Sequence, residues 1–383
     1  MRRSSGRILT TFAGSLIRPA ELRRLQIIDG ADPHEYAVTL RRCVAHAVQQ
    51  QLDVGLDVVS DGEFGKSNWA GYILNRVSGF ELRPTPPDTQ TYNRFGREGE
   101  QFADFYSENT VGEWTPRTVV CRGPIGYEPG EIQRDIANFK SALSVSQPPL
   151  EAFMPAVAPA SFVRDAHNEY YPTEEAYVFA IADALKCEYQ AILDAGFLLQ
   201  IDDAVLATMW VVMESEGLQA YRRWAELRIE ALNYALSGLP EDRVRYHLCW
   251  GSWPGPHVTD IPLEHVIDLL LRVNAGAYAI EAGNPRHMHE WRVWQSARLP
   301  DGKLLIPGVI SHSTPVVEHP QLVAERIVRF AGLVGRENVI AGSDCGFAQS
   351  QGLRRVPASI MWAKLGALVD GARLASEELF GCG

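Results

Sequence analysis

The sequence predicts an α/β protein of the (β/α)8 TIM-barrel class, and three observations carry that expectation. Eight short apolar runs begin near residues 7, 56, 153, 198, 244, 277, 304 and 338, and most are separated by stretches of helical spacing. A chain of 383 residues is long enough for one such barrel with room for an insertion. The ends of the runs carry polar or metal-ligand residues: Gly14-Ser15, Asp61-Gly62-Glu63, Asp202-Asp203, His247-x-Cys249, Glu281, His312-Ser313 and Asp344-Cys345. Barrel enzymes build their sites at the carboxyl ends of the strands, so this convergence on one rim is what a barrel demands. A doubly wound sheet is the second choice on the same pattern.

Taken in order, residues 7–12 form the first strand, closed by a loop with Gly14 and Pro19. A helix follows over 33–54, with Asp32 as N-cap, Pro33 in its first turn and Gly55 as its stop. Strand two is 56–60. Residues 78–115 are polar, rich in Gly, Pro and aromatics, and without sustained periodicity. With a short strand at 118–121 and a helix at 131–143 they make up an insertion at about 78–145. From residue 153 the rhythm is regular, with strands at 153–157, 198–201, 244–249, 277–281, 304–310 and 338–342. Helices are expected at 174–193, capped by Thr173, and at 217–236, 263–273 and 319–333. The chain is read as one barrel domain over 1–383.

Net charge is 36 − 47 = −11 with no basic block, which argues against nucleic acid or an anionic membrane as the main partner. The expected partners are small molecules, with a homo-oligomer compatible. No run approaches the 18 to 20 apolar residues of a membrane span, and residues 8–12 do not make an export signal. Six cysteines in such a chain read as reduced thiols of a cytoplasmic protein. Cys43, Cys121 and Cys187 are expected in the core, and Cys382 at a frayed terminus.

His247 and Cys249 lie two apart on one strand and face the same side, because strand side chains alternate. Glu281 and Cys345 end later strands that one sheet can bring alongside. Imidazole, carboxylate and two thiolates suit Zn²⁺. The competing reading is a buried cysteine beside a satisfied core histidine.

At these residues the chain resembles the catalytic barrel of the cobalamin-independent methionine synthases, and more closely the short branch of that superfamily that includes epoxyalkane:coenzyme M transferase. The resemblance covers nearly the whole chain. It rests on the Gly14-Ser15 loop, the stretch from Leu56 to Glu63, Gln200-Ile201-Asp202, His247-x-Cys249, Glu281, the stretch from Gly308 to Ser313, and Asp344-Cys345-Gly346. It implies zinc ligands at His247, Cys249, Glu281 and Cys345, a pocket for the polar end of a thiol at Gly14, Ser15, Glu63 and Asp202, and a proton-donating acid at His312. The tryptophan that carries folate in the long methionine synthases has no counterpart in the matching stretch from Val157 to Phe162, so the resemblance transfers no folate site.

The implied activity is zinc-dependent alkyl transfer to a small thiol, either a methyl group or the carbon of an opening epoxide. A free thiol has a pKa near 8.5, and coordination to Zn²⁺ deprotonates it. Glu63 and Asp202 favour a thiol with an amino group, such as homocysteine. Arg18 is a candidate clamp for a carboxylate or a sulfonate, and coenzyme M carries the latter. His287 and His289, in the loop after Glu281, look like a second metal motif but are read as supporting residues. Two other classes fit the rim less well: a metal-independent decarboxylase or lyase of the uroporphyrinogen-decarboxylase type, and a zinc-stabilised binding module.

Overall fold

In the computed structural model, residues 1–28, 30–84, 95–109, 117–163, 166–253, 255–348 and 356–381 are described. Cys382 and parts of the expected insertion, 85–94 and 110–116, lie outside them. The strands in chain order are β1 (Leu9–Thr10), β2 (Val58–Ser60), β3 (Phe80–Pro84), β4 (Arg117–Cys121), β5 (Glu151–Val157), β6 (Ala166–Asn168), β7 (Leu198–Asp203), β8 (Val244–Leu248), β9 (Ala277–Ile280), β10 (Leu304–Ile310) and β11 (Ile340–Ser343). Eight of them form one sheet in the order β1-β11-β10-β9-β8-β7-β5-β2, with every adjacent pair parallel. All eight coincide with the expected runs, and this sheet is the (β/α)8 barrel.

The last seam, between β1 and β2, is stitched by side chains. Asp57 accepts hydrogen bonds from Thr10 N at 2.9 Å and Thr10 Oγ1 at 3.0 Å and pairs with Arg7, while Thr11 Oγ1 donates to Val58 O at 3.3 Å. The barrel interior is filled by side chains of both polarities. Arg245 is fully buried there, bonded to Thr11 Oγ1 and Phe12 O, with its guanidinium 4.1 Å from the Phe153 ring centre. Burial pulls its pKa down to about 9.

Helix Pro33–Val54 begins and ends where the sequence says. Asp32 Oδ1 accepts from His34 N at 3.0 Å, and Gly55 takes the left-handed conformation that stops a helix. Thr173 caps Glu174–Asp194 in the same way, and Pro320–Val334 starts behind His319. Between β2 and β5 the expected insertion holds helices Gly96–Gln101 and Ala103–Asn109 and the strands β3 and β4, which β6, from beyond β5, extends to a small sheet ordered β3-β4-β6, while Gly130–Val145 packs on Pro33–Val54 as an ordinary crossover helix.

Two expectations need correction. Residues 263–273 are not one helix but a 3-10 turn, Leu263–His265, followed by a single α turn, Ile267–Leu270. A helix this short is marginal alone, and here the Leu263 N–H leaves the segment to bond Glu290 at 2.7 Å. Cys187 is exposed rather than core: on Glu174–Asp194 the buried stripe runs through Ala184, Leu185, Glu188 and Tyr189, and position 187 falls on the outer face.

Candidate active site

The carboxyl end of β8 and the turn after β11 bring His247, Cys249 and Cys345 together, with their ligand atoms all within 4.8 Å of one another. All three are buried, and the two sulfurs are 3.4 Å apart. Ser252 Oγ donates to Cys345 Sγ at 2.9 Å, and Gly251 N donates to Cys249 Sγ at 3.3 Å. The short contact between the two sulfurs ties their protonation together. The hydrogen bond to Cys345 and burial push Cys249 far up, whereas the same hydrogen bond, with help from His247, carries Cys345 well down into the thiolate range.

Burial alone would lower the His247 imidazole, but Cys345 and the charge of Asp202 outweigh it and raise it to about 9. Apart from the approach of the Cys345 sulfur, neither ring nitrogen has a hydrogen-bond partner among the described residues, although His247 is only 2% exposed. A buried imidazole with a ring nitrogen left over is costly, and two sulfurs and a nitrogen at this spacing are a donor set that one zinc ion spans at about 2.0–2.3 Å from each. The residues fit the metal.

Glu281, one residue past β9 and expected as a fourth ligand, falls outside this group of mutually close ligand atoms and is held by the protein. Trp250 N donates to its Oε1 at 2.9 Å and Asn284 Nδ2 to its Oε2 at 2.8 Å. Its pKa is raised to about 7 by burial, against the pull of His287. Asp344 fixes the same turn by accepting from Ala282 N, Gly283 N and Asn284 Nδ2. His287 is a buried bridge, with Nδ1 2.9 Å from Glu290 and Nε2 3.1 Å from Asp260, which also meets His257. His289 is exposed and takes no part.

The trio forms the floor of a cavity of about 270 Å³ that also holds Ser15, Glu63 and Asp202 and is walled by Trp69, Phe95 and Trp253. Gly14 is required there. Its φ of +117° suits glycine, and a Cβ would lie 2.6 Å from Pro155 and 3.0 Å from Glu63. Lys66 Nζ sits 3.2 Å from Glu63 Oε2 and donates to Pro155 O at 2.8 Å, so Glu63 is half of a buried ion pair. Asp202 accepts from Gln200 Nε2 at 2.7 Å, and burial plus the charge of Glu63 raises it to about 7.

Arg18 does not enter this cavity. Its guanidinium is buried against the carbonyls of Glu63, Lys66 and Ala348, so it braces the rim loops instead of offering an anion clamp. His312, two residues past β10, is buried and faces a second cavity of about 390 Å³ together with Glu281, His257, Arg286 and His287. Gly251 and Trp253 are common to the walls of both cavities.

The model of the cobalamin-independent synthase catalytic domain matches residues 155–372, which is 218 of 383 residues. The chain belongs to this family. The methionine synthase of Sulfolobus acidocaldarius is 23% identical over 377 residues, covering 97% of this chain and 93% of its own. The uncharacterized protein YxjH of Bacillus subtilis is 25% identical over 341 residues, covering 85% and 83%. Among solved structures, a B12-independent methionine synthase from Shewanella sp. W3-18-1 in complex with selenomethionine superposes with a TM-score of 0.75 over 98% of this chain and 100% of that one, at 18% identity. That likeness is one of fold.

Some residues of this cobalamin-independent synthase barrel escape a reading of motifs. Ser252 and Gly251 reach the sulfurs from the loop after Cys249, Asn284 orients Glu281, and Phe95 joins the cavity from the insertion. Only Asn284 had a signal, as the Asn-Pro step that follows the Glu281 strand.

Proposed function

We propose that this family member is a zinc-dependent alkyltransferase acting on a small thiol. The observation that carries the reading is the buried trio of His247, Cys249 and Cys345 on the floor of a cavity that also contains Asp202 and Glu63. The trio would hold the ion, with Glu281 poised beside it as a fourth, releasable ligand. When bound, zinc supplies the charge that keeps the substrate sulfur a thiolate at neutral pH. Ser252 Oγ–H and Gly251 N–H spread the charge of the protein's own sulfurs. Asp202 and Glu63 accept hydrogen bonds from the ammonium of an amino thiol, with Lys66 tempering their charge. Trp69, Phe95 and Trp253 exclude water. A ring nitrogen of His312 delivers a proton to the atom that leaves the transferred carbon. That carbon is a methyl group or the carbon of an opening epoxide.

The test is elemental analysis combined with thiol alkylation. The purified chain should carry about one zinc, and Cys345→Ser should lose the metal and the activity together. An active preparation without zinc would overturn the reading.

A further inference from the structure

The cavity over the trio takes one side chain from the insertion, Phe95, and that ring is held in a joint between the insertion and the loop after β8. Phe95 stacks on Tyr106 with ring centres 4.1 Å apart and meets Trp253 in a T-shaped contact at 5.7 Å. Trp253 Nε1 donates to the Tyr106 oxygen at 3.2 Å, and the Trp253 ring also stacks on His257 at 4.2 Å, which Asp260 holds in turn. Glu98 locks the joint. It is 1% exposed; one carboxylate oxygen accepts from the Tyr106 hydroxyl and the other from the N–H of Val258, five residues past Trp253. A buried carboxylate is costly unless fixed donors hold it, so this contact sets a position where an apolar side chain would only fill space. The helix that carries Glu98 is seated closely on the barrel: a Cβ on Gly96 would lie 2.5 Å from Val211 O, and Arg97 pairs with Glu214 at 2.8 Å.

We infer that the insertion is the specificity element of this cavity: Phe95 and Trp253 close it to thiols carried on a larger body, and Glu98, which does not line it, is the positioning residue that keeps the two rings in place. The inference rests on the proposed function. With the substrate sulfur at His247, Cys249 and Cys345 and its ammonium at Glu63 and Asp202, the rest of the molecule is left to the aromatic wall of Trp69, Phe95 and Trp253. Rings fixed by stacking and hydrogen bonds yield little, so a group added to the thiol at that end meets filled volume.

The probes are two pairs of thiols, cysteine with cysteinylglycine and homocysteine with homocysteinylglycine. The members of a pair present thiol and ammonium at one spacing and differ by a glycyl extension. Isothermal titration of the zinc-loaded full chain gives a Kd ratio for each pair, and the wild type should favour the free amino acid by about tenfold or more. Phe95→Ala should bring that ratio to about one. Glu98→Ala should do the same from outside the cavity, while Glu98→Gln, whose amide still meets Val258 N–H and the Tyr106 oxygen, should keep the wild-type ratio. A Phe95→Ala chain with an unchanged ratio would overturn the inference, and a Glu98→Ala chain that unfolds more readily but keeps the ratio would overturn the role of Glu98. A wild type that binds none of the four thiols overturns the proposed function, whereas one that binds them without discrimination overturns this inference alone.

Discussion

His287 shows how a single side chain ties the loop after β9 to pH. Burial pulls its imidazole down, but hydrogen bonds to Asp260 and Glu290 and the charge of Glu281 outweigh it and raise it to about 10. A group whose folded pKa lies above its unfolded value of 6.5 adds stability that is full below pH 6.5 and is lost as pH climbs toward 10. Urea unfolding of the wild type should therefore lose stability across that window, and His287→Asn should flatten the slope. An unchanged slope in the variant would show that His287 stays neutral when folded. At this scale the sequence was legible where chemistry is carried by rare residue types. His247, Cys249 and Cys345 could be read because the strand period of two and the strand ends fix where they point. Arg18 could not, because a guanidinium on a rim loop looks the same whether it faces a ligand or three backbone carbonyls.

Elements with strong punctuation were found within a residue or two. Pro33–Val54 has a capping aspartate, a first-turn proline and a terminal glycine, and each acts as its type requires. Ala358–Phe380 was not anticipated, because its buried stripe includes Ala367, Gly371, Ala372, Ala375 and Ser376 and offers little contrast with the exposed face. Small residues let it pack closely on Pro320–Val334. The turn after β11 works by the same close approach: a Cβ on Gly346 would lie 2.0 Å from Ser15 Oγ, while Phe347 N already bonds Ser15 O at 2.9 Å. Gly346→Ala should therefore push the Ser15 loop away from Cys345. Its unfolding free energy should fall by roughly 1–3 kcal/mol and its thiol KM should rise, whereas a variant with wild-type KM would show that the two loops move independently.

Across the whole molecule the barrel was readable because eight apolar runs alternate with helices and end in polar residues. How it closes was not, since the β1–β2 seam depends on Asp57, a charge in the middle of an apolar run. Asp57→Ala would leave the Thr10 N–H and hydroxyl without their acceptor and free Arg7, for a loss of about 2–3 kcal/mol in denaturant unfolding. A loss below about 0.5 kcal/mol would mean that backbone contacts alone close the ring. The barrel brings an imidazole and two thiols together on one rim beside a cavity, and under the proposed function a substrate sulfur joins them on zinc. X-ray absorption at the zinc edge of the full chain, with and without a panel of small thiols, tests it directly. The expected result is two sulfur ligands at rest and one more with the true acceptor; a spectrum that no thiol alters, or a protein that takes up no zinc, would contradict it.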